Sequence, residues 1–374
     1  MFYITYTKQE PRSMYQISID DIFNGTVNEE QIKEVPYTTE RPASITVERL
    51  KLDDLPECSQ ETIDNLLDLK RRLQQAQSGD YSDSYQTFKI PKKTGGLREI
   101  CAPKPALKET QSKIKNALER CTMGNVHNAA HAYVKGRSTV TAIQEHQKNN
   151  SRWFLKVDIK NFFGSFNKNF IQKQLNQVYP FCVAYFPSWK VALKDGVLPQ
   201  GTPISPILTN ICMVPLDTQI TKMLGKDYVY TRYADDILIS NKYNFDWRKI
   251  VENLKRILED TPLEIKPEKT RYGSSAGRNW NLGLMLNKDN NITIGHRAKE
   301  TFRACVFSFL KDYATGTYWS LEDVHHLQGL LSYYQHIEPT HTETLIKKYE
   351  TKTNINLKDS INSILTGNGL LLST

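Results

Sequence analysis

The run Tyr230-Thr231-Arg232-Tyr233-Ala234-Asp235-Asp236-Ile237-Leu238-Ile239-Ser240 places two adjacent carboxylates at a turn between two β-like apolar stretches. Two carboxylates about 4 Å apart repel by ~4 kcal/mol at an effective dielectric near 20, a cost that bound divalent cations remove. Metal-dependent chemistry would use such a pair, although a solvated hairpin turn is the plainer reading of those two residues alone. A third carboxylate, Asp158, ends the apolar run Phe154-Leu155-Lys156-Val157-Asp158-Ile159. An acid in such surroundings is costly unless it is paired or ligates a cation, and Lys156 or Lys160 offers a simple ion-pair partner. Between the acidic runs lies Leu198-Pro199-Gln200-Gly201-Thr202-Pro203. A glycine-containing turn entering a helix lets backbone and a glutamine side chain come close to a flat ligand.

The elements that must position these residues are legible in the hydrophobic pattern. Apolar positions Ile63, Leu66, Leu67, Leu69 and Leu73 predict a helix from Ser59 to Gln77, stopped by Ser78-Gly79. Phe88 to Ile100 predicts a basic hairpin about Thr94-Gly95-Gly96, and Leu107 to Arg120 predicts a helix with Lys108, Lys113 and Lys115 on its polar side. Strands are expected from Trp153 to Ile159 and on both sides of Asp235-Asp236. Helical periodicity marks Ile207 to Ile220 and dominates from about Ala298 to Tyr349.

A chain of 374 residues, 39% apolar and 24% charged, has room for two to three domains and fits neither a collagenous, a coiled-coil nor a disordered class. No apolar run approaches the ~18 residues that span a bilayer, and the N-terminus lacks a basic stretch followed by an apolar segment, so a cytoplasmic protein with no membrane partner is expected. The six cysteines are far apart with no Cys-x-x-Cys pair, and the eight histidines complete no His-Glu-x-x-His set. Neither a zinc site nor a disulfide framework is indicated, and no Gly-rich Walker loop occurs. The net charge of +8 fits a polyanionic partner.

Asp158, Leu198-Pro199-Gln200-Gly201 and Tyr233-Ala234-Asp235-Asp236, in that order, resemble the palm motifs of reverse transcriptases, and the resemblance extends over about residues 85–350. It implies an α+β right-hand polymerase fold with fingers, an antiparallel-sheet palm and a helical thumb. It also implies RNA-directed DNA synthesis: an RNA template is copied into a DNA product from dNTPs. Asp158, Asp235 and Asp236 would form the acidic cluster for two magnesium ions, with manganese as a substitute, and Asp158 and Asp235 would be the principal ligands. Such a pair of ions activates a primer 3′-hydroxyl and clamps the triphosphate, so no protein nucleophile is required. By the same matching, Lys93 and Arg98 grip the incoming triphosphate, while Gln200 and Gly201 lie against the nucleotide and its template base. Phe163 matches the aromatic that crowds the sugar 2′ position. Lys269, in Pro267-Glu268-Lys269-Thr270, matches the lysine that protonates the departing pyrophosphate. Asn281-Leu282-Gly283 matches the turn that holds the primer end.

The resemblance implies four regions: an N-terminal extension at 1–57, fingers at 58–152, a palm at 153–295 with a helical fingers insertion at about 165–195, and a helical thumb and tail at 296–374. With about 80 residues after the palm, a fused RNase H or endonuclease domain of ~100–150 residues is not expected. Within the family, Arg98 to Gln111 and Ala132-Tyr133-Val134-Lys135-Gly136-Arg137-Ser138 look like the bacterial retron and group II intron branch. There are two departures. Thr141-Ala142-Ile143-Gln144-Glu145-His146 stands where retron enzymes carry Asn-Ala-x-x-His, and Asn281-Leu282-Gly283 stands where they carry Val-Thr-Gly. The departures and the N-terminal segment point toward Abi-like or defence-associated enzymes copying a structured non-coding RNA. Template-independent or protein-primed synthesis and a non-catalytic maturase-like RNA-binding scaffold are the alternatives. The sequence leaves oligomeric state and priming open.

Overall fold

A computed structural model describes residues 60–77, 81, 83–92, 95–121, 126–178, 191–275, 283–317 and 319–366. In chain order the elements are α1 (Gln60–Gln77), β1 (Tyr85–Pro91), β2 (Leu97–Pro103), α2 (Pro105–Cys121), α3 (Thr139–Lys148), β3 (Trp153–Asp158), α4 (Phe162–Ser165), α5 (Lys168–Val178), α6 (Ser205–Leu224), β4 (Val229–Tyr233), β5 (Asp236–Asn241), α7 (Trp247–Leu258), β6 (Arg271–Ser274), β7 (Leu284–Leu286), β8 (Ile292–Ile294), α8 (His296–Ala314), α9 (Leu321–Ile337), α10 (Pro339–Thr353) and α11 (Leu357–Leu365). The described residues fall into two compact units, one within 1–127 and 161–216 and the other within 128–160 and 217–374. None of the described helices is long and apolar enough to cross a membrane.

In the first unit α1 packs along α2, burying Leu69 and Leu73 from one helix and Leu107, Ile114 and Leu118 from the other. Asp68 joins them by accepting from Arg72 of its own helix and from Arg120 of α2. β1 and β2 form the expected antiparallel hairpin, in register from Tyr85 opposite Pro103 to Pro91 opposite Leu97. Gln111, fully buried on α2, donates to the Tyr85 hydroxyl at 3.1 Å and to the Val191 carbonyl at 2.7 Å, which ties hairpin, helix and the 191–204 loop together.

In the second unit four strands pair antiparallel in the order β4-β5-β3-β6 among the described residues. Side chains alternate across a strand, so Phe154, Lys156 and Asp158 share one face with their partners Ser240, Leu238 and Asp236, while Tyr230 and Arg232 point to the other. α3 covers the first face, where the His146 ring lies 5.8 Å from that of Phe154. α7 starts on an Asp246 cap, which accepts from the backbone of Arg248 and Lys249, and buries Ile250, Leu254 and Leu258. Its Trp247 stacks on Tyr272 of β6, which stacks in turn on Trp153 of β3. The C-terminal helices α8 to α11 share one core with the β7–β8 hairpin, Phe154 and Leu238, built on Phe302, Val306, Phe309, Leu327 and Leu331. Burial of apolar surface on this scale is what holds the sheet and the helices as one body.

Candidate active site

The hairpin register decides where the acids go. Asp158 stands directly opposite Asp236 across the β3–β5 ladder, and Tyr233 opposite Asp236 leaves Ala234-Asp235 as a two-residue turn. The first residue of such a turn takes positive φ when the turn follows the twist of its strands, and glycine usually fills it. Here it is Ala234, at φ 55°, a conformation that costs an L-residue about 1–2 kcal/mol. The backbone of Ile159 donates to the Asp235 carbonyl at 3.0 Å, fastening the turn beside the end of β3. All three acids therefore converge at one end of the sheet.

Their electrostatics differ. Asp158 is 4% exposed, and its carboxylate accepts from the Lys269 ammonium at 2.7 Å. Lys269 arrives because the preceding segment runs beside β3: Lys160 donates to the Glu264 carbonyl, Lys266 donates to the Asp158 carbonyl, and a 3-10 turn over Pro267–Lys269 follows. The hydrogen bond to Asp158 holds the Lys269 ammonium above the usual lysine range. Asp236 accepts from Lys156 at 2.9 Å, a diagonal pair on the same sheet face. Lys156, weighed above as a partner for Asp158, serves Asp236 instead, and Lys160 pairs with Glu264. Asp235 makes no ion pair within 4.0 Å among the described residues. Burial, then the neighbouring Asp236 and Asp158 carboxylates, push its carboxyl above the usual range.

The oxygen donors suit a hard divalent cation: of the three carboxylates two are paired with the Lys156 and Lys269 ammonium groups, and the third, Asp235, has its proton affinity raised by burial and by its acidic neighbours. Among the described residues no three His, Cys, Asp or Glu side chains stand as a ready-made metal cage, and two of the three acids pair with lysines.

Arg98, Phe163, Gln200 and Gly201 lie in the first unit, and Gly283 in the second. Arg98 is exposed on β2, opposite Ile90, on the same hairpin face as Ile100. The Gln200 carbonyl accepts from the Cys101 backbone at 2.8 Å. Gly201 sits at φ +110°, where a Cβ would lie 2.8 Å from Ile100 Cγ2 and 3.3 Å from the Cys101 carbonyl, so only glycine lets the loop approach the hairpin this closely. Ser205 closes the loop by donating to the Pro199 carbonyl and bonding the Thr202 hydroxyl. Phe163 is half-buried, its ring edge-on to Phe162 at 5.6 Å, which leaves part of its surface available to a ligand. Gly283 enters β7 at φ +97°. Lys93, Asn281 and Leu282, with the 1–57 extension, lie outside the described residues.

Two groups were not singled out from the sequence. Arg232 and Asp217 form an ion pair with both side chains 0% exposed. His146, on α3, is buried against the sheet face: Nδ1 meets the Ser240 hydroxyl at 2.5 Å and Nε2 the Thr231 hydroxyl at 2.8 Å. Burial pushes its ring down to about 3, so it is neutral at pH 7. A charge inside the β-like run 230–240 was the available signal for Arg232. For His146 the sequence carried no such signal, because Glu145 and not His146 stands at the histidine of the Asn-Ala-x-x-His spacing.

A family model described as reverse transcriptase (RNA-dependent DNA polymerase) matches residues 90–301, more than half of the chain. Retron Ec83 reverse transcriptase of Escherichia coli is 31% identical over 289 residues, covering 72% of this chain and 88% of that protein. Retron Ec73 reverse transcriptase of the same organism is 27% identical over 290 residues, covering 70% and 85%. The solved structure of apo telomerase from Candida tropicalis aligns with a TM-score of 0.45 and 15% identity over 79% of this chain and 67% of that one. The similarity to retron enzymes holds in spite of the two departures at Thr141–His146 and Asn281–Gly283.

Proposed function

Because the chain belongs to the reverse transcriptase (RNA-dependent DNA polymerase) family, we propose that Asp158, Asp235 and Asp236 are the carboxylates of its polymerase centre. The observation that carries this reading is their convergence at one end of the β4-β5-β3-β6 sheet, with Asp158 opposite Asp236 and Asp235 bonded through its carbonyl to Ile159. The protein is an RNA-directed DNA polymerase of α+β right-hand class, and its family works with divalent metal ions.

Two magnesium ions, replaceable by manganese, are assigned to this cluster, where they would supply charge stabilisation for the attacking and leaving oxygens of an in-line phosphoryl transfer. Asp158 and Asp235 are the principal ligands, and Asp236 holds Lys156. Lys269, already protonated beside Asp158, is the group placed to give a proton to departing pyrophosphate. Arg98 and Lys93 bind the triphosphate, Gln200 and Gly201 the nucleotide and template base, Phe163 the sugar, and Asn281-Leu282-Gly283 the primer end. The template is a structured non-coding RNA, and the cellular role is anti-phage defence.

Primer extension on an RNA template tests the centre: Asp158→Asn and Asp235→Asn should abolish incorporation with the fold retained, and wild-type incorporation by either folded variant would remove the assignment. Sequencing the nucleic acid that copurifies with the protein tests the template. One dominant structured RNA supports the reading, whereas a random sample of cellular RNA, or DNA with no matching template, favours untemplated synthesis.

A further inference from the structure

Behind the catalytic turn, on the sheet face away from Asp158 and Asp236, lies a closed polar cluster. The Arg232 guanidinium donates from Nε to both Asp217 oxygens, at 2.9 and 3.2 Å, and from Nη2 to Oδ2 at 2.7 Å. The Tyr230 hydroxyl donates to the same carboxylate at 2.6 Å. Nη1 donates to the Ala234 carbonyl at 3.3 Å. The Arg232 backbone is clamped as well, donating to the Ala129 carbonyl at 2.6 Å and accepting from the His131 amide at 2.8 Å. A buried ion pair is a weak device for stability, because desolvation of both charges offsets their attraction. What this one does that an apolar pair cannot is present a rigid donor to one particular backbone carbonyl. That carbonyl belongs to Ala234, whose left-handed backbone is the strained link between β4 and Asp235.

We infer that Arg232 is a positioning residue for polymerisation: locked by Asp217 and Tyr230, its guanidinium fixes the Ala234 carbonyl and so sets the aim of the Asp235 carboxylate. The inference rests on the assignment of Asp235 to the polymerase centre. Asp217 and Tyr230 act one step further back, by keeping the guanidinium planar fork in the single orientation that reaches both Asp217 and the turn.

Two variants separate positioning from structure. Arg232→Lys keeps a positive charge for Asp217, but its single ammonium lacks the fork that spans Asp217 and the Ala234 carbonyl. The double variant Asp217→Leu/Arg232→Met removes both charges together, an exchange that proteins often accept without loss of stability. Both are compared with wild type and with Asp235→Asn by thermal melting, by Mn2+ binding to the nucleic-acid-free protein, and by primer extension across a Mg2+ titration. Misplacement of a reacting group by about 1 Å costs on the order of 100-fold, so we expect ~10- to 100-fold lower kcat, a Mg2+ half-saturation shifted upward, weaker Mn2+ binding, and a nearly unchanged dNTP KM. A folded Arg232→Lys or double variant with wild-type kcat and Mg2+ half-saturation overturns the inference. So does a loss of activity that follows melting temperature while Mn2+ binding and the Mg2+ midpoint stay at wild type. Should Asp235→Asn itself retain activity, it is the assignment of the polymerase centre that fails, not the role of Arg232 in holding the turn.

Discussion

The Lys269 ammonium lies 2.7 Å from an Asp158 carboxylate oxygen. It is therefore both a candidate proton donor and a competitor for the acid that a divalent cation would use. Lys269→Ala should bind Mn2+ several-fold more tightly in the absence of nucleotide, as read by calorimetry, and should turn over ~100-fold or more slowly, as loss of a general acid does. Weaker Mn2+ binding would instead show that Lys269 holds Asp158 in its ligating posture.

The two neighbouring acids of the turn should respond in opposite senses when made amides. Asp235 sits among like charges without an ion pair among the described residues, so Asp235→Asn relieves repulsion and should raise the melting temperature while abolishing incorporation. Asp236 neutralises Lys156, so Asp236→Asn should destabilise by about 1 kcal/mol. Equal shifts of both variants in the same direction would contradict this division.

Sugar choice is assigned to Phe163, which is only half-buried. A 2′-hydroxyl pressed against its ring would be overpacked by ~1–3 kcal/mol, which is roughly 5- to 150-fold in rate. Phe163→Val should raise GTP incorporation relative to dGTP on one primer-template. An unchanged ratio in the folded variant would make Phe163 a packing residue.

His146 makes stability depend on pH. Its folded value, about 3, lies below the unfolded 6.5 because burial disfavours the imidazolium, so the unfolded chain binds the extra proton. Stability is full above pH 6.5 and falls with acidification by about 1.4 kcal/mol per pH unit from this residue until the folded value is reached. Urea denaturation between pH 6.5 and pH 4 should show stability falling with acidification, and the slope of His146→Gln should be shallower than that of wild type by one proton's worth. An identical slope in the variant would mean that the ring is solvated.

Local pattern determined a good deal of this protein. The helices at 60–77 and 105–121, the basic hairpin, the strand ending at Asp158 and the strands around Asp235-Asp236 are all where periodicity and turn residues place them, because burial of one face imposes a period of 2 or 3.6 on the sequence. The acids were conspicuous for the same reason: a carboxylate at the end of an apolar run is out of place unless something pairs with it. The short α3 and the β7–β8 hairpin carry weaker periodic signals, and packing decides them.

Only the tertiary structure decided which lysine belongs to which acid. Asp158 and Lys269 are 111 residues apart, and Lys156, two residues from Asp158, crosses to Asp236 instead. The reason is register: pairing β3 with β5 puts Asp158 opposite Asp236 and Lys156 diagonal to it, and the 264–266 segment bonded along β3 delivers Lys269 to the remaining acid. Arg232 is the same lesson in a single residue. Its charge in a strand reads as a solvent-facing position until Asp217, on a helix 15 residues earlier, is seen to close over it. Strand alternation tells which side of a sheet a residue faces, but not what the rest of the chain will place there.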